Sequence, residues 1–287
     1  MQALQRESGP PLVSGEFPLT AQDFQRIAQI LHADSGIRLR EGRAALVYSR
    51  LGKRLRALGL QSFRDYCELV AGADGLDERR AMLAALTTNV TRFFREPHHF
   101  DHLKVQLNGA LANRVRAGGR LRLWSAGCST GEEPYSIAMT LLSVFPNALD
   151  LDIRILATDI DPNVVATARE GNYSADNLEQ LPSQQRNLVI QNRSSDQIRM
   201  SDDLKALISF GELNLMGDWP MKGKFDFIFC RNVAIYFDDV TQERLWGRFG
   251  DKLHTHGRLY IGHSERIADQ KRFQPDGQTV YKHAAVA

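Results

Sequence analysis

Residues 121–136, LRLWSAGCSTGEEPYS, constrain this chain more than any other stretch. A short apolar run stops at a glycine-containing turn, and a helix starts within a few residues. A strand, a turn that lets a ligand approach the backbone and a helix N-terminus, in that order, build a nucleotide cradle. A phosphate there would want bare N–H groups or a lysine. Glu132 and Glu133 sit in the first helical turn instead, which favours a cationic or uncharged nucleoside.

From Arg120 onward, strand and helix patterns alternate. Strands are expected over residues 120–125, 152–158, 225–230 and 258–261, and helices over 134–145, 163–170 and 240–253. Residues 273–281 can close the domain as a hairpin or as edge strands. This is the alternation of a doubly wound α/β fold. Residues 171–211 interrupt it with a long polar segment. Short strands are expected there over 188–191, 197–200 and 207–210, with residues 192–196 as a turn. A run of that length inside a compact domain is usually functional or a subdomain of its own.

The first third of the chain is different. Residues 1–15 carry Gly9-Pro10-Pro11 and little periodicity, and read as a flexible tail. Thr20 and Asp23 form a helix-entry pair, followed by an apolar stripe of Phe24, Ile27, Ile30 and Leu31. Further helices are expected over 41–58, 63–71 and 77–86, so residues 16–90 form a small all-α domain. Residues 91–287 then hold a linker and the α/β domain. Between Arg38 and Arg64 the basic residues are Arg38, Arg40, Arg43, Arg50, Lys53, Arg54, Arg56 and Arg64, against Glu41 alone. Such a run is most often a solvated face. Its lopsided charge favours docking of an acidic partner. RNA fits less well, because no aromatic interleaves the basic face to stack bases.

Composition narrows the function classes. A net charge of +2 gives no ground for bulk nucleic-acid binding. Cys67, Cys128 and Cys230 have no framework spacing, which points to reduced thiols in the cytoplasm. No apolar run approaches the roughly 20 residues of a membrane span. The N-terminus lacks a signal-peptide core. No heptads are sustained, so a monomer is the default expectation.

Three segments can meet at the carboxyl ends of parallel strands: the turn from Gly127 to Glu133, Asp159, and Cys230-Arg231-Asn232-Val233. An acid such as Asp159 can accept from both ribose hydroxyls. A tight turn or a helix cap would explain each segment alone. Together they favour a dinucleotide or S-adenosylmethionine site. His98 and His102 are one helical turn apart, which is ligand-like spacing. No carboxylate or cysteine pattern completes a zinc set, so no metal is expected.

At this point the chain resembles a known family. TTNVTRFFRE, SAGCSTGEEPYS, ATDID, FIFCRNVAIYF, GHSE and GQTVY occur in the order found in CheR-type glutamate O-methyltransferases of chemotaxis receptors. The resemblance runs from the N-terminal helices to Tyr281. It implies a small helical domain followed by a Rossmann-like class I methyltransferase domain with an inserted antiparallel β-subdomain. It implies methyl transfer from S-adenosylmethionine to glutamates on the cytoplasmic helices of chemoreceptors, leaving S-adenosylhomocysteine. Carried over by motif, Asn89, Thr91 and Arg95 contact cofactor or substrate. Glu132 holds the methionine end, and Gly127 gives close backbone approach. Asp159 takes the ribose, Asn214 and Leu215 flank the adenine, and Asn232 and Val233 line the methionine side. Arg95 and Tyr236 sit by the transferring methyl. Arg43, Arg50, Lys53, Arg54 and Arg56 become candidates for docking glutamate-rich receptor helices at the membrane. The turn at 192–196 lacks the glycine-rich loop of members that grip a receptor's C-terminal pentapeptide, which argues against that tether.

Two rival readings share the fold. A nucleic-acid methyltransferase would carry an Asn/Asp-Pro-Pro-aromatic stretch or a Pro-Cys nucleophile, and the sequence has neither. A non-catalytic S-adenosylmethionine-binding sensor or scaffold is argued against by the intact set of Asp159, Glu132, Arg95 and Tyr236.

Overall fold

The structure is a computed structural model that describes residues 10–192 and 196–284. The described chain divides into two units. One comprises the described residues up to Thr88 with Tyr236–Asp238, and the other the described residues of 89–235 and from Asp239 on.

The first unit is helical: α1 (Ala21–Ser35), α2 (Ala44–Leu58), α3 (Phe63–Ala71) and α4 (Leu76–Leu86). The sequence dictates the ends of these helices. Thr20 and Asp23 form a reciprocal capping box on α1, and Gly36 ends it in the left-handed conformation. Such a cap contributes about 1 kcal/mol. Gly59 ends α2 in the same way, and Ser62 caps α3. The core gathers Phe24, Ile27 and Leu31 of α1, Val47, Leu51 and Leu55 of α2, and Phe63 and Tyr66 of α3. Residues 1–9 of the expected tail lie outside the described residues. Residues 10–15 are not a free tail, because Val13 bridges Leu19 antiparallel.

The second unit opens with α5 (His98–Gln106) and α6 (Ala110–Arg116). It continues with β1 (Leu121–Ala126), α7 (Glu132–Val144), β2 (Ile153–Asp159) and α8 (Pro162–Glu170). The insertion supplies β3 (Asn172–Ser174), β4 (Val189–Asn192), β5 (Gln197–Met200) and α9 (Asp202–Ala206). The chain then forms β6 (Ile208–Glu212), β7 (Phe225–Cys230), α10 (Asp239–Lys252), β8 (Leu253–Ile261), β9 (Phe273–Gly277) and β10 (Val280–His283). The seven-stranded sheet runs β6-β2-β1-β7-β8-β10-β9. Strands β6, β2, β1, β7 and β8 are parallel, and β10 returns antiparallel to β8 and to β9. This is the expected doubly wound α/β fold with its closing hairpin. Parallel strands covered on both faces need continuous apolar runs, and every residue of β7 is buried.

The insertion departs from expectation. Residues 207–210, expected as its last strand, instead form β6, which pairs parallel with β2 in the main sheet. The inserted sheet is β3-β5-β4, antiparallel, and its first strand, only three residues long, was too short to show a period. The insertion therefore ends before β6. Residues 193–195 of the expected turn lie outside the described residues. No helix among the described residues is long and apolar enough to cross a membrane.

Candidate active site

The sheet order sets β6, β2, β1 and β7 side by side and parallel, so their carboxyl ends share one edge. After β1 the backbone reverses through Gly127 (φ 89°), Ser129 (φ 49°) and Gly131 (φ 101°) into α7. The N–H groups of Gly127 and Cys128 both donate to the Thr158 carbonyl, at 2.8 and 2.9 Å. A Cβ on Gly127 would meet Val233 Cγ2 at 2.4 Å. The turns after β1 and β7 therefore pack together at a contact that only glycine permits.

Asp159 ends β2 and is 8% exposed. Its Oδ2 accepts from Ser129 N–H at 2.8 Å and its Oδ1 from Asp161 N–H at 3.1 Å. Burial pushes its carboxyl above the ordinary value. Each oxygen keeps a further lone pair for a ligand hydroxyl. Glu132 is buried in the first turn of α7, where its Oε2 accepts from Thr130 Oγ1 at 2.7 Å. Burial raises its carboxyl as well. From the insertion, Tyr173 Oη donates to the Thr130 carbonyl at 2.7 Å and so buttresses this turn.

The TTNVTRFFRE segment reaches the same edge. Asn89 Nδ2 donates to Asp161 Oδ2 at 3.1 Å, and its carbonyl accepts from Ser129 Oγ at 2.9 Å. Thr91 and Arg95 are half-buried, and Arg95 Nη1 donates to the Val90 carbonyl at 3.0 Å. After β6, Leu213 N–H donates to the Asp159 carbonyl at 2.8 Å, which ties the Asn214–Leu215 segment to β2. Asn214 Oδ1 accepts from Met216 N–H at 2.9 Å. Leu215 is buried, and its carbonyl accepts from Trp219 Nε1 and Arg248 Nη1. Asn232 is left-handed (φ 60°), and its N–H donates to Glu265 Oε2 at 3.0 Å. Tyr236 falls in the helical unit, where its carbonyl accepts from Arg38 N–H at 2.8 Å.

Several supporting roles are not legible in the sequence. Glu265 of the GHSE block is buried, and it accepts from the N–H groups of Asn232, Ile235 and Gly262. Burial raises its carboxyl against the pull of those donors. Arg231 is buried and places Nη1 3.0 Å from Glu133 Oε2 and Nη2 3.4 Å from Glu96 Oε2. Glu133 in turn accepts from Ser125 Oγ at 2.7 Å. Burial works to raise the Glu96 carboxyl, but Arg231 and His263 bring it down to about 2. The signal was present in the quoted motifs, but a charged residue gains this role only through long-range packing.

The histidines do not pair as their spacing suggested. His102 Nδ1 lies 3.0 Å from Tyr260 Oη, and its Nε2 lies 3.6 Å from Asp276. Among the described residues, the group with ligand-like proximity is Glu96, His98 and His99, whose ligand atoms lie within 4.8 Å of one another. The Arg231 guanidinium already stands beside Glu96 Oε2, and a metal ion at that oxygen would sit against a fixed positive charge.

The basic helix also differs from a simple exposed face. Arg54 makes a two-pronged pair with the buried Glu78, and Arg50 donates to the carbonyls of Ala85 and Thr87. Arg56 pairs with Glu16 at 2.9 Å in the open. Arg43 and Lys53 are exposed.

Comparison with known proteins agrees with this geometry. Residues 22–87 match the family described as "CheR methyltransferase, all-alpha domain", and residues 89–282 match "CheR methyltransferase, SAM binding domain". A probable chemotaxis protein methyltransferase of Rhizobium etli is 51% identical, covering 88% of this chain and 97% of the relative. Chemotaxis protein methyltransferase 2 of Pseudomonas aeruginosa is 41% identical, covering 96% and 98%. The chemotaxis protein methyltransferase of Escherichia coli is 39% identical, covering 92% and 91%. The donor set suits S-adenosylmethionine: buried carboxylates at Glu132 and Asp159 can face cationic and hydroxyl groups, beside a turn with no room for a Cβ at Gly127. The chain belongs to the CheR family of S-adenosylmethionine-dependent chemotaxis methyltransferases.

Proposed function

We propose that this protein methylates glutamate side chains on the cytoplasmic helices of chemoreceptors. The observation that carries the reading is the shared strand edge, where the Gly127 turn packs on Val233 and Asp159 takes the Ser129 N–H. Bound there, S-adenosylmethionine supplies an electrophilic methyl on a positively charged sulfur. Glu132 faces the methionine end, Asp159 the ribose, and Asn214 and Leu215 the adenine. Asn89, Thr91, Asn232 and Val233 close the remaining walls.

The acceptor needs little acid–base help. A glutamate has a reference pKa of about 4.3 and is already an anion at neutral pH. Its oxygen takes the methyl, the carbon–sulfur electron pair stays on sulfur, and both charges are neutralised. Alignment then governs the rate, and positioning contributes about 7–11 kcal/mol in favourable systems. Arg95 is assigned to orient the acceptor carboxylate and Tyr236 to flank the methyl. Too strong an arginine contact would blunt the nucleophile, so Arg95 should steer rather than clamp. Receptor docking is assigned to the basic helix, with Arg43, Lys53 and the Glu16-paired Arg56 as its exposed members.

Incubation with methyl-labelled cofactor and receptor-containing membranes tests the reading. Label should enter the receptor and be released as methanol by mild base, as a glutamyl ester requires. Label that resists base, or that enters nucleic acid instead, would overturn it.

A further inference from the structure

Arg231 lies outside the contacts assigned to cofactor and acceptor, yet it touches the segments that carry both. Its side chain is 2% exposed, and its guanidinium stands 5.7 Å from the centre of the Phe100 ring. One nitrogen faces Glu133 at 3.0 Å, in the turn of α7 that also carries Glu132. The other faces Glu96 at 3.4 Å and donates to the carbonyl of Arg95. Arg95 is flanked by Phe94 (φ 50°) and Glu96 (φ 57°), two non-glycine residues in the left-handed region. Such backbone persists only where surrounding contacts over-determine it. The residues after Arg231 are Asn232, itself left-handed, and Val233, which fills the space against Gly127.

We propose that Arg231 is a positioning residue that couples the cofactor turn to the backbone of Arg95. A planar guanidinium can serve three acceptors at once, whereas a lysine ammonium is a single mobile point charge. Filling the turn between Gly127 and Glu133 fixes the start of α7, and through Glu133 and Arg231 it fixes the loop that presents Arg95. The role rests on the glutamate-methylation reading only for the identity of the acceptor. The coupling itself concerns cofactor and chain.

The test uses the full chain with Arg231→Lys, Arg95→Ala and the double variant. In wild type, S-adenosylhomocysteine should slow hydrogen exchange at residues 92–97. In Arg231→Lys that protection should be lost, while the Kd for S-adenosylhomocysteine by calorimetry stays within about threefold. Methyl transfer should fall about 10²-fold in kcat, the scale of a misplaced catalytic group. In the Arg95→Ala background, Arg231→Lys should cost nothing further. Multiplying losses in the double variant, or retained protection in Arg231→Lys, would overturn the proposal. If Arg231→Lys does not fold, Glu133→Gln removes one anchor, keeps the arginine and should show the same pattern. Should wild type transfer no methyl to receptors, the acceptor assignment fails, and the exchange measurement still decides the coupling.

Discussion

A Cβ on Gly127 would lie 2.4 Å from Val233 Cγ2, so two turns far apart in sequence meet with no room for a side chain. Gly127 also holds φ at 89°, a left-handed backbone that costs other residues about 1–2 kcal/mol. Gly127→Ala should weaken S-adenosylhomocysteine binding by about tenfold or more, since each 1.4 kcal/mol is tenfold. Adding Val233→Ala should recover part of that loss, by removing the clash but not the backbone cost. Calorimetry on both variants checks this, and an unimpaired Gly127→Ala protein would refute the close packing.

Arg95→Ala and Tyr236→Phe should lower kcat for receptor methylation more than they weaken cofactor binding. For Arg95→Ala the expected loss is about 10²-fold, in line with lost orientation. Initial-rate kinetics beside equilibrium binding separate the two effects. If Arg95→Ala lost only cofactor affinity, the orienting role would be wrong.

Arg54 is a poor residue with which to test receptor docking. Its partner Glu78 is buried and also accepts from Tyr66 Oη at 2.8 Å. Arg54→Ala strands that carboxylate and should cost about 2 kcal/mol of stability, less than a fully buried pair because the arginine is part-exposed. Thermal unfolding measures it. Charge reversal at Arg43 and Lys53, which are exposed, should leave the melting temperature unchanged and slow methylation most at low ionic strength, where screening is weakest.

Acid should destabilise the α/β unit partly through Asp226. Burial works to raise its carboxyl, but the Arg122 N–H, His256 and Arg114 together hold it below the ordinary value. A carboxyl depressed in the folded state contributes stability above its unfolded pKa of about 3.9 and loses it as pH falls through the lower folded value. Asp226→Asn should therefore be less stable than wild type at neutral pH. The gap in melting temperature should narrow below about pH 4. A gap that stays constant would show that the charge of Asp226 is not what matters.

The helices of the first unit were legible because their ends are written locally. Thr20 with Asp23, Gly36 and Gly59 each act within one turn of chain. The strands of the main sheet were legible from apolar runs followed by turns, and the motif turns fall at their carboxyl ends. What escaped reading depends on partners distant in sequence. Strand β6 is recognisable only by its pairing with β2, because its own five residues fit an inserted strand equally well. Glu265 meets Asn232, and Glu96 meets Arg231, across stretches of chain that no local pattern spans. The pairing of Arg54 with Glu78 and of Arg56 with Glu16 was hidden for the same reason, since both acids come from elsewhere in the unit.

The inserted sheet enters and leaves at neighbouring points, because the Met200 N–H donates to the Gly171 carbonyl at 2.9 Å. A segment stapled at its base can change length at little cost to the scaffold, since doubling a loop adds only about 0.6 kcal/mol of closure entropy. Fixed points within it are Tyr173, whose hydroxyl supports Thr130, and Gln180, whose Oε1 accepts from the Phe93 N–H at 3.2 Å. Away from those contacts and from the buried Leu181 and Ile198, the insertion can lengthen or shorten without moving the turn that Tyr173 supports.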